Sequence, residues 1–172
     1  MPGKYVLYMS GSLGLGHITR DLAIAKELRK LHPELELYWL AAPPADQLIK
    51  EAGECLLPEA TDLADVNSVA EQSARGVPLS LITYVGRARK QWAQNVEVLT
   101  RVARRRQLDL IIGDETYEVV RAFRKTPRLK TCPFVMIYDF VGVDSMSRSL
   151  LEKLEVYVLN RAWSGSSTED SL

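Results

Sequence analysis

Four things are scarce in this chain, and each absence removes a class of explanation. Cysteine is nearly absent: Cys55 and Cys132 stand far apart and form no CxxC pair. That excludes a disulfide scaffold and a cysteine-rich metal site, and it fits reduced thiols in a cytosolic protein. Net charge is missing as well, since 22 basic and 22 acidic residues cancel, so no electrostatic argument favours nucleic acid as a partner. No apolar run approaches the roughly 18 residues that a membrane span needs. The opening Met1-Pro2-Gly3-Lys4 carries one positive charge before a short apolar run and does not read as a signal peptide. The expectation is a soluble, cytoplasmic protein in which peripheral contact with a membrane surface stays open. No internal repeat is visible either.

What is present is an ordinary globular composition, 47% hydrophobic and 26% charged over 172 residues. This length fits one domain with a core of its own. Tyr5 to Met9 is a short apolar run suited to a strand covered on both faces. Ser10 to Gly16 (SGSLGLG) is a loop. From His17 to Leu31 apolar residues recur at Ile18, Leu22, Ala25, Leu28 and Leu31, which is helical spacing. Asp21 suits the first turn of that helix, and Arg29 and Lys30 suit the last. Leu35 to Leu40 is the second strand. A short helix follows over Asp46–Ala52, then a third strand over Cys55–Leu57.

The polar stretch Glu59 to Gly76 reads as a helix with loose ends. A long helix over Leu79–Arg106, with a kink near Gly86, precedes a strand at Leu108–Ile112. Glu115–Arg124 is helical, Phe134–Tyr138 is a strand, and a last helix spans about Ser147 to Ala162. Strand and helix alternate, which predicts an open, mostly parallel α/β sheet with right-handed crossovers and helices on both faces. One domain is expected over residues 1–163, followed by a polar tail over 164–172 that reads as disordered.

The glycines between the first strand and first helix are the main functional signal. A helix N-terminus behind glycines presents free amides and partial positive charge, suited to an anion or to close approach of a ligand. A dinucleotide fingerprint fails: from Gly14 the third glycine would be Thr19, and the second strand ends in Leu40-Ala41-Ala42 with no acid for a ribose. A phosphate loop fails too. Gly11 and Gly16 have its spacing, but His17 and Ile18 stand where Lys and Ser/Thr are needed.

The remaining pattern, GSLGLGH followed by ITRDLAIAKEL, resembles the opening of GT-B glycosyltransferases, in particular the MurG-like family within the UDP-glycosyltransferase superfamily. The matching residues are Gly14, Gly16, His17, Leu22, Ala23, Ala25 and Leu28. Leu15 departs from the adjacent glycine of MurG itself, and Arg20-Asp21 replaces its Pro-Ala. These departures point away from the MurG substrate and toward the broader superfamily. The resemblance is clearest over Lys4 to Gly53 and continues through the strand ends at Gly113-Asp114 and Tyr138-Asp139.

The resemblance implies half of a GT-B fold, the amino-terminal, acceptor-binding half of a hexosyltransferase, incomplete and inactive alone. Its co-substrates would be a nucleotide-sugar, expected to be a UDP-sugar, and a hydroxyl acceptor that is lipid-linked in some relatives. No metal and no cofactor are implied. A carboxy-terminal donor domain would come from the same gene or from a separate chain. Two other readings stay open: a non-catalytic acceptor or docking subunit of a split transferase, and a nucleotide-binding module without transfer chemistry.

His17 is the first candidate for the general base, placed at the crevice beyond the strands' carboxyl ends. The helix N-terminus disfavours imidazolium there. The alternatives are ligand contact without proton transfer and simple packing beside the glycines. Asp114 is placed either to cap the helix at Glu115 or to fix the tautomer of His17 as a triad carboxylate does. Gly14, Leu15, Gly16, Arg20 and Asp139 are candidate substrate contacts. Against this, Arg20 reads more readily as a solvated first-turn arginine and Asp139 as a turn or cap residue, and Glu115 is a weaker candidate. Arg101, Arg104, Arg105 and Arg106 suit a helix C-terminus, with anionic headgroups as the functional alternative. Trp39, Trp92 and Trp163 read as packing residues.

Overall fold

The structure, a computed structural model, describes residues 3–11, 15–64, 81–139, 142, 144, 145 and 149–167, with the side chains of 81–88, 159 and 162–167 outside that description. The elements in chain order are β1 (Lys4–Met9), α1 (Leu15–Leu31), β2 (Leu35–Leu40), α2 (Ala45–Glu51), β3 (Cys55–Leu56), α3 (Leu81–Arg105), β4 (Leu110–Asp114), α4 (Tyr117–Lys125), β5 (Phe134–Ile137) and α5 (Leu150–Ser167). Short 3₁₀ turns lie at Pro58–Asp62 and Pro127–Leu129.

The five strands form one sheet in the order β3-β2-β1-β4-β5, and every pairing is parallel. The fold is therefore the expected Rossmann-like open sheet. The chain winds outward from β1 to β3, then crosses back to place β4 on the other side of β1. Winding direction reverses between β1 and β4, and in such sheets the crevice at that reversal is where ligands bind. The register puts Met9 opposite Gly113, so the segments leaving both strands emerge side by side.

Alternation along the strands divides the core in two. Val6, Tyr8, Leu37 and Trp39 pack with Ile18 and Ala25 of α1 and Ile49 of α2. The Tyr8 and Trp39 rings stack with centroids 4.5 Å apart. Leu7, Met9 and Ile111 pack on the opposite face with Val98, Leu99 and Val102 of α3 and Val119 and Phe123 of α4. Helices thus cover both faces, which is why β1 carries an unbroken apolar run.

Several boundaries differ from the sequence reading. α1 starts at Leu15, so Gly16 lies inside its first turn. The stretch after Pro58 makes only a 3₁₀ turn before Leu63 becomes extended; residues 65–76 lie outside the described residues. The reason is visible in the side chains. Glu59 is drawn to Arg106 at 2.8 Å, Asp62 pairs with Arg101, and the Ala64 N–H donates to Asn95 Oδ1 at 2.9 Å, so α3 holds this stretch instead of letting it coil. Arg101 and Arg106 are accordingly engaged with these acids. α3 is a single helix through Gly86.

β4 begins two residues later than expected and includes Asp114. α4 begins only at Tyr117, because Glu115 has a φ of 50°, a left-handed conformation that a helix cannot incorporate. Asp114 is consequently not the cap of α4: Thr116 occupies that position, and its side chain makes no capping bond. α5 runs to Ser167, into the polar segment read as a tail; residues 168–172 lie outside the described residues.

Candidate functional site

The C-terminal edge of the sheet at the β1/β4 reversal gathers the chemistry. Gly11 leaves β1 against the end of β4. A Cβ there would sit 2.8 Å from the Asp114 carbonyl oxygen, so only glycine lets the two backbones approach this closely. Gly16 is under no such constraint, because a Cβ at that position would meet nothing within 4 Å. Leu15 and Gly16 form the exposed first turn of α1, while Gly14 lies outside the described residues.

In the first turn of α1, His17 turns toward β4. Its Nδ1 lies 2.9 Å from Asp114 Oδ2. Arg20, one turn further along α1, extends over the same edge. Its Nη2 donates to Asp114 Oδ1 at 2.5 Å and its Nη1 donates to Asp139 Oδ1 beyond β5. Nη2 also lies 3.3 Å from His17 Nδ1. The shorter contact and the charge of the carboxylate place the proton of a neutral ring on Nδ1, directed at Asp114. Nε2 then carries the lone pair. It lies 3.4 Å from Asp139 Oδ2 and 3.7 Å from Glu115 Oε2.

The site is graded in depth. Asp114 is fully buried, the His17 side chain is 14% exposed, and Arg20 and Asp139 are open to about a third. Hydrogen bonding to Asp139 pushes the Arg20 guanidinium above its ordinary value, opposed by partial burial and assisted by Asp114. Burial pushes the Glu115 carboxyl up, against the pull of His17. Tyr117 Oη donates to Glu115 Oε1 at 3.4 Å. His17, Asp114 and Asp139 offer ligand atoms within 4.8 Å of one another, close enough to hold a metal ion. The Arg20 guanidinium already bridges the two carboxylates, so an ion would have to displace it.

Sequence reasoning missed Asp21. Its charge suits the first turn, but α1 starts at Leu15, so Asp21 lies in the second turn, and it is fully buried. It accepts hydrogen bonds from Tyr8 Oη at 2.9 Å and Ser10 Oγ at 2.5 Å. Burial raises its pKa to about 6, with the Ser10 bond opposing the shift. The signal was available: Ile18, Asp21, Ala25 and Leu28 follow the 3-4-3 spacing of one helix face, so Asp21 lies on the apolar stripe. Tyr8 and Ser10 also share one face of the outgoing strand. The cluster ties α1, one turn past His17, to the end of β1. Glu115 was also undervalued, and no local pattern announces its left-handed backbone.

No protein-family model matches the sequence, and no curated protein matches it. Solved structures do. The chain is similar to the glycosyltransferase SnogD from Streptomyces nogalater at a TM-score of 0.56 and 18% identity, covering 98% of this chain and 42% of that one. It is similar to Acinetobacter baumannii MurG at 0.50 and 16%, covering 91% and 39%. For the glycotransferase of kitacinnamycin the values are 0.53 and 15%, with 99% and 42% covered. The chain thus spans about two fifths of each of these proteins. At such identities the likeness is one of architecture, and it shows that this chain has the Rossmann-like fold of one half of a GT-B glycosyltransferase.

Proposed function

We propose that the chain is the acceptor-binding, amino-terminal half of a glycosyltransferase that moves a sugar from a nucleotide-sugar, a UDP-sugar by resemblance, onto a hydroxyl acceptor. The observation that carries this reading is the His17–Asp114 pair at the β1/β4 reversal. An acceptor hydroxyl seated at Nε2 gives its proton to the ring as its oxygen attacks the sugar's anomeric carbon and the nucleotide departs. Asp114 holds the ring's orientation and faces the imidazolium that forms. Arg20 keeps Asp114 and Asp139 in place. The donor sugar and its diphosphate would be held by a second domain, from the same gene or a partner chain.

A docking subunit of a split enzyme is the second reading. The exposed apolar residues Leu150, Leu151, Leu154, Tyr157 and Val158 on α5 favour it, since such a stripe suits association. No helix among the described residues is long and apolar enough to cross a membrane; a cytoplasmic location remains part of the proposal.

The test is transfer by the chain joined to its donor half. His17→Ala should lower kcat by roughly 10²–10⁴-fold, the usual contribution of a general base. Transfer at the parental rate would exclude His17 as the base and leave the docking reading in its place.

A further inference from the structure

The surroundings of His17 Nε2 bear on which acceptor fits. We infer that the site takes a neutral or ammonium-bearing polyol, whose reacting hydroxyl has further hydrogen-bond donors beside it, and rejects a phosphorylated one. This rests on the reading of the site as an acceptor cradle.

Three carboxylates, Asp114, Glu115 and Asp139, surround one imidazole and one guanidinium. Arg20 directs its terminal nitrogens to Asp114 and Asp139. Among the described residues around His17 no second cation faces the site. A phosphate here would meet carboxylates and compete with them for Arg20, and like-charge juxtaposition is strongly discriminating.

Ionised carboxylates only accept hydrogen bonds. Glu115 Oε2 and Asp139 Oδ2 lie 3.7 and 3.4 Å from Nε2, long for bonds to the ring. Both lie close enough to Nε2 that a hydroxyl or ammonium neighbouring the reacting hydroxyl on the same molecule can donate to either. A single-hydroxyl acceptor would leave them unserved.

Glu115 is the better placed of the two. Its side chain is 9% exposed, and its backbone is held in the left-handed region at φ 50°, a conformation that non-glycine residues keep chiefly where the surroundings demand it. It is anchored by Tyr117 Oη and by a hydrogen bond from the Asp139 backbone, so the carboxylate is aimed before any ligand arrives.

The chain has two histidines, which gives the experiment an internal control. NMR titrations would follow the imidazole Cε1–H signals of His17 and the exposed His32. The probes are methyl β-D-glucopyranoside, glucosamine, glucose 6-phosphate and cyclohexanol. The first two should move His17 saturably and leave His32 still. Glucose 6-phosphate should bind at least about tenfold more weakly than the glucoside, and cyclohexanol should give no saturable shift. Glu115→Gly removes the carboxylate at a backbone angle that glycine adopts freely, so the fold is retained. This variant should narrow the gap between glucoside and phosphate several-fold.

Equal binding of glucose 6-phosphate and the glucoside, a cyclohexanol shift as strong as the glucoside's, or unchanged discrimination in Glu115→Gly, would each overturn this inference and leave the acceptor reading standing. A His17 signal that no probe moves would overturn both.

Discussion

His17 Nδ1 meets Asp114 Oδ2 at 2.9 Å although the chain places the two residues 97 apart, and in the proposed reaction Asp114 serves the base. Asp114→Asn keeps the shape and loses the charge. An asparagine can also present its amide to Nδ1 and so favour the wrong tautomer. Transfer by the assembled enzyme should fall by about 10²-fold or more, with thermal stability much less affected. A kcat within twofold of the parent would mean that Asp114 does not serve the base.

Asp21 makes a different prediction at the same scale. Burial raises its pKa from 3.8 to about 6. Between those values the folded chain holds a proton that the unfolded chain has released, so the contribution of Asp21 weakens folding as pH rises through that window and is constant above it. Asp21→Asn removes this dependence. Denaturant unfolding at pH 4 and pH 7 should show the wild type losing stability relative to Asp21→Asn on going to the higher pH. An identical difference at both values would refute the burial argument. Glu118 is likewise pushed up by burial, and Glu54 and Glu59 are held down by Arg29 and Arg106. The comparison therefore has to be made against the variant, since the whole-protein pH curve mixes both signs.

Among the elements, the turn from β1 into α1 is the one the site depends on. Gly11→Ala would drive a methyl group into the Asp114 carbonyl at 2.8 Å. Because the obstacle is backbone, the strands must part, and overpacking of this kind costs about 1–3 kcal/mol. Chemical denaturation should show that loss, together with a displaced His17 signal. Gly16→Ala meets open space and replaces glycine within a helix, so it should be neutral or stabilising by up to about 1 kcal/mol. A Gly11→Ala variant as stable as Gly16→Ala would show that Gly11 does not lie tightly against β4.

The elements also show where local reading succeeds. β2 was legible to the residue because its apolar run is bounded by Pro33 and by Pro43-Pro44, and the α1 stripe was legible from its spacing. The described part of the Glu59–Gly76 stretch, Glu59–Ala64, was not. Its alanines and charges suit a helix, but Glu59 and Asp62 answer to Arg106, just past α3, and to Arg101 on it, a competition invisible along the chain. The start of α4 differs for a related reason: Glu115 has an unremarkable side chain but a left-handed backbone just past the end of β4, where its N–H donates to the Ile137 carbonyl of β5.

For the molecule as a whole, both cores meet at the central strands. Ile111 is fully buried between β1 and β5, on the face covered by α3 and α4. Ile111→Ala should cost about 2–5 kcal/mol, read as a lower denaturation midpoint with an unchanged slope. A loss below about 1 kcal/mol would show that this face of the sheet is loosely packed.

The sequence by itself determined the class of this protein. Hydrophobic periodicity is a local property, and alternating strand and helix patterns of these lengths can bury their apolar faces only as a parallel sheet between two helical layers. It also brought His17 forward, because a glycine loop opening a helix is a local device. Only the tertiary structure decided what surrounds that histidine. Asp114, Glu115 and Asp139 lie at or just beyond the ends of two later strands, and Asp21 faces inward toward the hydroxyls of Tyr8 in β1 and Ser10 just after it. Parallel pairing aligns strand ends that are a hundred residues apart in the chain, and that alignment, which no local pattern encodes, gathers the carboxylates around one histidine.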